Sequence, residues 1–360
     1  MKKLITVGIA GLTPVNERRT PSMGLRCLEK VLDYQRASKT PVKIVGFSRN
    51  KTDKIKETES FLLERHEIIC NGFPTIYDLI DVDPRVLFIS TPSDLHLSHG
   101  GAVIKEKSKG AKLNSVYIEK PLSVIKGEET LEEAIELVKV ADEKGILFGF
   151  GTQYSTIAHK ILNVYRTVTG YDDVKTLSIL IESNGSHKRE EIANDLASHA
   201  ESLWRYILKQ SIPNGRISDI FPMISEDFNI FTFKYRNKEK ICECSVYLSQ
   251  VESEEKRSPT EIHFNEGIKG KDFKVKLVRE DIDGEYNLSM YCFKNKELIY
   301  LGKKKNLGDP LAKSVHKFLR AVNSNNGERK LPATGRDGLL NLYHTAILLG
   351  RVPEDYQLKI

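Results

Sequence analysis

Cysteine is scarce in these 360 residues: Cys27, Cys70, Cys242, Cys244 and Cys292 are scattered along the chain and odd in number. A disulfide framework needs clustered pairs in a short chain, so it is excluded here, and a reducing, cytoplasmic setting is expected. Cys242 and Cys244 stand two apart in a strand-like run and would share one sheet face, but no second pair completes a ligand set, so no metal site is expected. Long apolar runs are missing as well. Nowhere do eighteen such residues follow one another, which excludes a membrane-spanning helix. The opening Met1–Gly11 has the basic start and apolar stretch of a signal peptide, yet Pro14 and the charged Glu17–Arg19 interrupt it and no small-residue cleavage site follows, so it reads as a first strand. Charge of one sign is in short supply too. With 55 basic and 49 acidic residues the formal net charge is +6, enough to favour anionic ligands without implying a nucleic-acid partner. The run Lys303–Lys305 reads as a solvated loop face. Neither an internal repeat nor a low-complexity tract is present.

What is present is an ordinary globular mix, 40% hydrophobic and 29% charged, in a chain long enough to divide its core between two domains. Leu4–Ala10, Val42–Phe47, Val86–Ser90, Ser115–Ile118 and Ile146–Phe150 are short runs rich in Val, Ile and Phe with little alternation, the pattern of strands buried on both faces. Between them Leu25, Leu28 and Leu32 fall at helical spacing, as do Leu131, Ala134, Ile135 and Val138. Thr20-Pro21 offers an N-cap followed by proline, which predicts that the first helix starts near residue 21. These features predict a Rossmann-like, doubly wound parallel sheet over residues 1–150.

After Gly151 the texture changes. Helical patterns over Ile157–Val168 and Ile192–Leu208 surround a strand, Thr176–Glu182. Strand-like runs then follow at Ile230–Tyr235, Ile241–Leu248, Thr260–Phe264, Phe273–Val278, Asn287–Phe293 and Leu298–Leu301. Helices over Pro310–Asn323 and Arg336–Leu349 close the chain. Consecutive strands of this kind predict a second, α+β domain over residues 151–360 with a large, mostly antiparallel sheet.

A strand that ends in Gly11 ahead of a helix start is the setting for a dinucleotide pyrophosphate, because glycine permits the tight turn and the helix N-terminus presents free N–H groups. Here the fingerprint is altered: Gly11-Leu12-Thr13-Pro14-Val15-Asn16 keeps the first glycine only, and about ten residues intervene before the helix. Gly11 and Thr13 remain candidates for the turn. Arg18 and Arg19 in the inserted stretch offer charge to a phosphate, although a solvated loop would carry the same residues. Past the second strand, Ser48, Arg49 and Lys51 stand where an acidic residue would bind the ribose hydroxyls of NAD. Their chemistry suits the additional 2′-phosphate of NADP, with NAD as the alternative.

Three further segments carry chemistry. Thr91-Pro92-Ser93-Asp94-Leu95-His96 follows the third long strand, with His96 readable also as a helix-start residue capped by Ser93 or Asp94. Glu119-Lys120-Pro121 follows the fourth, at the carboxyl end where open α/β sheets bind ligands. In the second half, Asp195 and His199 stand four apart on a predicted helix and so share a face. Lysine, aspartate and histidine brought together form a proton-transfer set suited to removing the hydroxyl proton of a secondary alcohol.

The order of these segments resembles the Gfo/Idh/MocA (glucose-fructose oxidoreductase / inositol dehydrogenase) family. The likeness spans nearly the whole chain: the opening strand with Gly11, Thr91-Pro-x-x-x-His96, Glu119-Lys120-Pro121, the helix Leu131–Lys144 leading into Ile146–Tyr154, Asp195-x-x-x-His199, and Leu331-Pro-Ala-Thr-Gly335-Arg-Asp-Gly338-Leu. The resemblance implies that Lys120 polarises the reacting oxygen, that His199 is the main acid/base, and that Asp195 holds substrate or assists proton transfer. It also implies that Thr91, Pro92, His96, Glu119 and Gln153 line the cofactor cleft. Gln153 and Tyr154 stand where family members often show Asn or Gln and an Arg-Phe pair. Ser186-His187-Lys188-Arg189-Glu190-Glu191 replaces a glycine-rich approach, and offers either a contact for an acidic substrate or an exposed charged helix start. The implied activity is hydride transfer with a sugar-like, nucleotide-sugar or inositol-like polyol by a homodimer or homotetramer. A regulatory or scaffold protein that keeps the fold, and a redox-assisted glycosidase, are the competing readings.

Overall fold

The apolar runs of the first half become strands because each is buried on both faces. They are β1 (Ile5–Ala10), β2 (Val42–Ser48), β4 (Val86–Ile89), β5 (Ser115–Glu119) and β6 (Leu147–Gly151), with a three-residue edge strand β3 (Asn71–Phe73). The computed structural model describes residues 3–14, 22–49, 54–185, 187–251, 259–282, 285–299, 305–324, 331 and 333–358. All six strands run parallel in the order β3-β2-β1-β4-β5-β6, the doubly wound order whose switch point lies beside β1. Helices α1 (Met23–Ser38), α2 (Ile55–His66), α3 (Ile76–Asp81), α4 (His96–Ser108) and α5 (Glu128–Glu143) make the crossovers. β3 escapes a sequence pattern because three residues carrying Gly72 show no periodicity.

The first helix begins two residues later than predicted. Its N-cap is Ser22, whose hydroxyl accepts from the Leu25 amide at 3.1 Å, so the cap is taken by the serine adjoining the helix, and Thr20-Pro21 lie outside the described residues.

The second half opens with α6 (Ser155–Thr169), β7 (Thr176–Asn184) and the long α7 (Glu190–Ser211). Strands β8 (Arg216–Ile224), β9 (Phe228–Arg236), β10 (Ile241–Val251), β11 (Thr260–Phe264), β12 (Phe273–Ile282), β13 (Glu285–Lys294), β14 (Glu297–Ile299) and β15 (Lys305–Asn306) follow. With β7 they form a nine-stranded sheet, β14-β13-β12-β11-β7-β10-β9-β8, β15 pairing with β13. Only β7 and β10 run parallel; every other pair is antiparallel. β8 carries no clean alternation, because Pro222 and a register shift between Ser218 and Phe221, with Asp219 at φ +54°, interrupt it. One sheet face is packed under α6 and α7 around Trp204, Tyr165, Phe264 and Phe273. Cys242 and Cys244 share that buried face, their Sγ atoms 3.9 Å apart.

The closing helices α8 (Pro310–Val322) and α9 (Gly335–Leu348) return to the first sheet. Phe318 of α8 packs against Phe88 and Tyr117 with ring centroids 5.7 and 5.2 Å away, and Leu339, Leu342 and Ala346 of α9 join the core between β6 and α5. Among the described residues no helix is long and apolar enough to cross a membrane, and no group of three or more His, Cys, Asp or Glu is placed to hold a metal ion.

Candidate active site

At the carboxyl edge of the parallel sheet, the segments that follow β5 and β6 meet the N-terminal half of α7, through Lys120 with Asp195 and Tyr154 with His199. At the end of β1, Gly11 adopts φ +84°, and a Cβ there would fall 2.6 Å from the Ser90 carbonyl oxygen, so the turn requires glycine. Its amide donates to the Ser48 carbonyl at 3.0 Å. The close helix-to-strand approach made by the last glycine of the usual fingerprint is made here by Gly24. A Cβ on Gly24 would meet the Gly11 carbonyl at 2.7 Å and Leu12 Cα at 2.9 Å. The fingerprint is therefore split by an insertion rather than lost. Ser22 closes that insertion: its hydroxyl accepts from the Thr13 amide at 3.2 Å and donates to the Thr13 carbonyl. The Thr13 amide is thus already engaged within the loop. Arg18, Arg19 and Lys51 lie outside the described residues.

Ser48 is buried at the end of β2. Arg49 turns onto the start of α2, its guanidinium donating to Thr58 Oγ1 at 3.0 Å and to the Lys54 carbonyl at 3.3 Å.

His96, the first residue of α4, is 1% exposed. Neither Ser93 nor Asp94 caps the helix at this point. The imidazole instead bridges two loops, Nδ1 on the Pro121 carbonyl at 2.7 Å and Nε2 on the Thr91 carbonyl at 2.8 Å. Burial holds its pKa below the ordinary histidine value, against the pull of those carbonyls. What His96 brings to the cleft is therefore the position of Thr91 and of the Lys120-Pro121 segment, whose peptide bond is cis. The Thr91 hydroxyl meets His99 Nδ1 at 3.1 Å, and Pro92 is exposed.

Glu119 ends β5 with its side chain on the α1 face of the sheet, 3% exposed. Oε1 lies 3.9 Å from the Cys27 thiol, whereas Oε2 has no hydrogen-bond partner among the described residues. Gly151, its neighbour on β6, leaves the room it occupies: a Cβ there would stand 2.7 Å from Oε1. Burial pushes the carboxyl up to about 7, even though the charges of Lys120 and Arg26 pull it down.

Lys120 reaches across to the second half. Its ammonium donates to Asp195 Oδ1 and to the Asp195 carbonyl, both at 2.9 Å. Asp195 Oδ2 accepts from Gln250 Nε2 at 2.9 Å, and Gln250 Oε1 in turn accepts the His187 amide at 2.9 Å. Burial alone would raise the Asp195 carboxyl; Lys120, with His199 and His187, outweighs it and holds the group below the usual aspartate value. His199, one helical turn along, packs its ring against Tyr154 with centroids 5.0 Å apart. The Tyr154 hydroxyl is 3.3 Å from Thr260 Oγ1 at the start of β11. Gln153 is buried beside them at the end of β6, its carbonyl accepting from Thr156 Oγ1 at 2.8 Å.

Lys120, just past β5, thus meets Asp195 of α7, with His199 one turn further along the same helix. Of the basic residues ahead of α7, His187 acts on Asp195, whereas Lys188 and Arg189 do not join them. Lys188 pairs with Asp227, and Arg189 with Glu226 at 2.9 Å, on the β8–β9 turn, so this stretch is an exposed, charged helix start. Two residues of the site were not foreseen. Gln250 ends a strand whose apolar pattern stops at Leu248, so nothing in the pattern marks it. Gly24 carried a usable signal, a glycine in the first turn of a helix, where propensity disfavours it.

No protein-family profile and no curated protein matches this sequence. Solved structures do match in fold. UDP-N-acetylglucosamine 3-dehydrogenase GnnA from Acidithiobacillus ferrooxidans aligns over 97% of this chain and 98% of its own at 16% identity, with a TM-score of 0.64. The transcriptional regulator Gal80p from Kluyveromyces lactis aligns over 97% and 90% at 13% identity and 0.65. The WlbA dehydrogenase from Bordetella pertussis, in complex with NADH and UDP-GlcNAcA, aligns over 97% and 96% at 13% identity and 0.61. At such identities the likeness is one of fold: a Rossmann-like parallel domain joined to a large, mostly antiparallel sheet, shared end to end with dehydrogenases and with a regulator.

Proposed function

We propose that this protein is a nicotinamide-dinucleotide-dependent oxidoreductase that moves a hydride to or from a secondary alcohol or ketone carbon of a sugar, nucleotide-sugar or inositol-like substrate. The dinucleotide half lies in residues 1–150, on whose sheet α8 and α9 also pack, and the substrate half in 151–360. The observation that carries the reading is the convergence of Lys120, from the carboxyl edge of the parallel sheet, with Asp195 and His199 from α7. That edge, at a topological switch point, is where open α/β sheets take ligands.

The residues present fit a dinucleotide. Gly11 and Gly24 let the end of β1, the Ser90–Thr91 turn and the start of α1 approach more closely than any Cβ would allow, and the absence of an acidic residue from Ser48, Arg49 and Lys51 favours NADP over NAD. Thr91, Pro92, Glu119 and Gln153 border the same edge. When bound, the cofactor supplies the hydride acceptor or donor. The chain's own residues handle the oxygen and its proton. In oxidation the C–H hydride leaves carbon, the O–H proton passes to His199, and Lys120 stabilises the oxygen as negative charge develops on it. Asp195, with both carboxylate oxygens engaged and its acidity strengthened, stays ionised and holds Lys120 in place. A sugar substrate accords with the dehydrogenases named above, one acting on UDP-N-acetylglucosamine and one bound to UDP-GlcNAcA. Phe221 and Met223, 70% and 58% exposed on β8, mark the sheet face on which a homodimer would form.

The test is reduced-nicotinamide absorbance with NAD and NADP against a panel of sugars, inositols and nucleotide sugars. Lys120→Ala and His199→Ala should each cost ~10²–10⁴-fold in turnover in folded protein; near-normal rates in both refute the chemistry.

A second reading, a regulator that keeps the fold without turnover, draws on the Gal80p likeness and on the Thr13 amide being bound within its own loop. Dinucleotide binding without turnover of any substrate in the panel would favour it.

A further inference from the structure

Helix α7 presents Asp195 and His199 to the crevice. Glu201 lies about 200° around the helix from His199, and with Arg205 it forms a buried ionic cluster on the opposite face. Glu201 and Arg205 are 1% and 5% exposed and meet at 2.5 Å. The rest of the cluster belongs to α9. Arg205 NH1 donates to Asp337 Oδ1 at 2.9 Å, while Glu201 accepts from Asn341 Nδ2 and meets His344 Nδ1, both at 2.9 Å.

Asp337 is also the third residue of α9 and helps cap its start. Its Oδ2 accepts from the Thr334 amide at 2.8 Å in a reciprocal capping box. Thr334 bridges to Gly149 of β6, and the Phe150 amide donates to the Ala333 carbonyl at 3.2 Å. Gly335 and Gly338 sit so tightly on β6 that a Cβ would approach Phe148 to 2.5 Å and Phe150 to 2.9 Å. β6 pairs in register with β5, which delivers Lys120. The start of α9 therefore joins the strand pair carrying the lysine to the helix carrying the histidine.

Several contacts tie α7 to this side of the molecule, among them Asn341 Nδ2 to the Ser198 carbonyl at 3.2 Å and Arg351 to Glu190; two of the ties are the ion pairs Lys120–Asp195 and Arg205–Asp337, about 15 Å apart along the helix. The first lies in the crevice. On the reading of function given above, Asp195 holds Lys120 in place before substrate arrives; a substrate oxygen then competes for the ammonium, and the pair with Asp195 loosens. The second lies outside the crevice, with the Arg205 and Asp337 side chains 6% and 21% exposed, and its guanidinium spans two carboxylates, Nε on Glu201 and NH1 on Asp337, so a ligand in the crevice does not compete for it.

We propose that Arg205, Glu201 and Asp337 are positioning residues. Their cluster holds Asp195 and His199 at their station opposite Lys120 while the Lys120–Asp195 pair is open, and this is the physical role of the Leu331–Leu339 segment.

Amide hydrogen exchange over residues 192–199 tests the tie without needing turnover. In full-length protein, Lys120→Met alone and Asp337→Asn alone should each change exchange there by less than about threefold, because the other ion pair remains. The double variant should accelerate it about a hundredfold, far beyond the product of the two single effects, with amides of α5 at wild-type rates in all three. If the single effects simply multiply, the ties do not back each other up and the proposal is overturned. Should Asp337→Asn unfold the chain, shown by α5 exchanging as well, Arg205→Lys takes its place, keeping the charge but losing the fork, with the same two outcomes. A turnover arm separates this from the assignment of function. If wild-type protein turns over, Asp337→Asn should lower kcat about tenfold with substrate KM and dinucleotide Kd within twofold, and equal loss in KM overturns the positioning role. If wild-type protein shows no turnover, the functional reading fails and the exchange result still decides the tie.

Discussion

The Lys120 ammonium and the Asp195 carboxylate meet at 2.9 Å across the two halves of the molecule, one end on a parallel strand and the other on a helix of the second domain. Burial and pairing pull the Asp195 carboxyl in opposite directions, and pairing prevails. A group whose folded pKa is depressed stabilises the fold above its unfolded value, and that stability is lost as pH falls through the folded pKa. Lys120→Met removes the largest favourable contribution and leaves the burial. The Asp195 pKa is then expected to rise, and the stability it contributes to be lost at a higher pH than in wild type. NMR titration of the carboxyl carbon in both proteins measures this, and an unmoved pKa would show that Lys120 is not what ionises Asp195.

Gln250 is held from two sides, and Gly185 is what lets it be there. A Cβ on Gly185 would come within 1.8 Å of Gln250 Oε1. The clash is with the far end of a flexible side chain, so Gly185→Ala should leave stability within ~1 kcal/mol and act by turning the Gln250 amide away from Asp195. Gly185→Ala, Gln250→Ala and the double variant should then share the same loss in kcat/KM, on the order of tenfold. Losses that multiply in the double variant would separate the two residues.

How far the sequence foretold this arrangement follows from where its information lies. Buried parallel strands write continuous apolar runs, so β1, β2, β4, β5 and β6 were legible nearly to the residue. Asp195 and His199 were placed on one helix face by spacing alone, because a four-residue step is a local property. Contacts made across folding units leave no such trace. That Lys120 would join Asp195 and His199 was read from the order of the motifs and the resemblance they carry; that Gln250 would clamp the other Asp195 oxygen, or that Arg205 would find Asp337, depends on how the two halves are mounted. The ten-residue interruption after Gly11 concealed Gly24, because a fingerprint is read by fixed spacing while the fold needs only close approach. β8 stayed hidden for a related reason, its alternation being broken by Pro222 and the shifted register.

Gly24 and Gly101 make a matched pair of helical glycines with opposite expectations. On Gly24 a Cβ would strike backbone atoms of Gly11 and Leu12, so Gly24→Ala should cost ~1–3 kcal/mol through a forced backbone shift and weaken dinucleotide affinity. On Gly101, exposed within α4, a Cβ meets nothing within 4 Å, so Gly101→Ala should stabilise by ~0.5–1 kcal/mol through helix propensity. Urea unfolding of both variants checks the sign, and a stabilising Gly24→Ala would contradict the split fingerprint.

Glu119 should make stability depend on pH in the sense opposite to a paired carboxylate. Its folded pKa is raised to about 7 by burial against an ordinary value of 4.5, so between those two values the folded protein keeps a proton that the unfolded chain has released. Where the folded state binds more protons, stability falls as pH rises. The contribution of this group is therefore most favourable below the unfolded value and is fully lost above about pH 7. The shift corresponds to an upper bound of about 3 kcal/mol. Glu119→Gln keeps the shape and removes the titration. Aspartates and glutamates with depressed values elsewhere, Asp195, Glu201 and Asp337 among them, titrate in both proteins and cancel in the difference. The variant should thus match wild type near pH 5 and exceed it by up to ~3 kcal/mol near pH 8, measured as unfolding free energy in urea at the two pH values. A difference that stays flat would mean that Glu119 is already ionised in the folded state, with Lys120 and Arg26 compensating its burial in full.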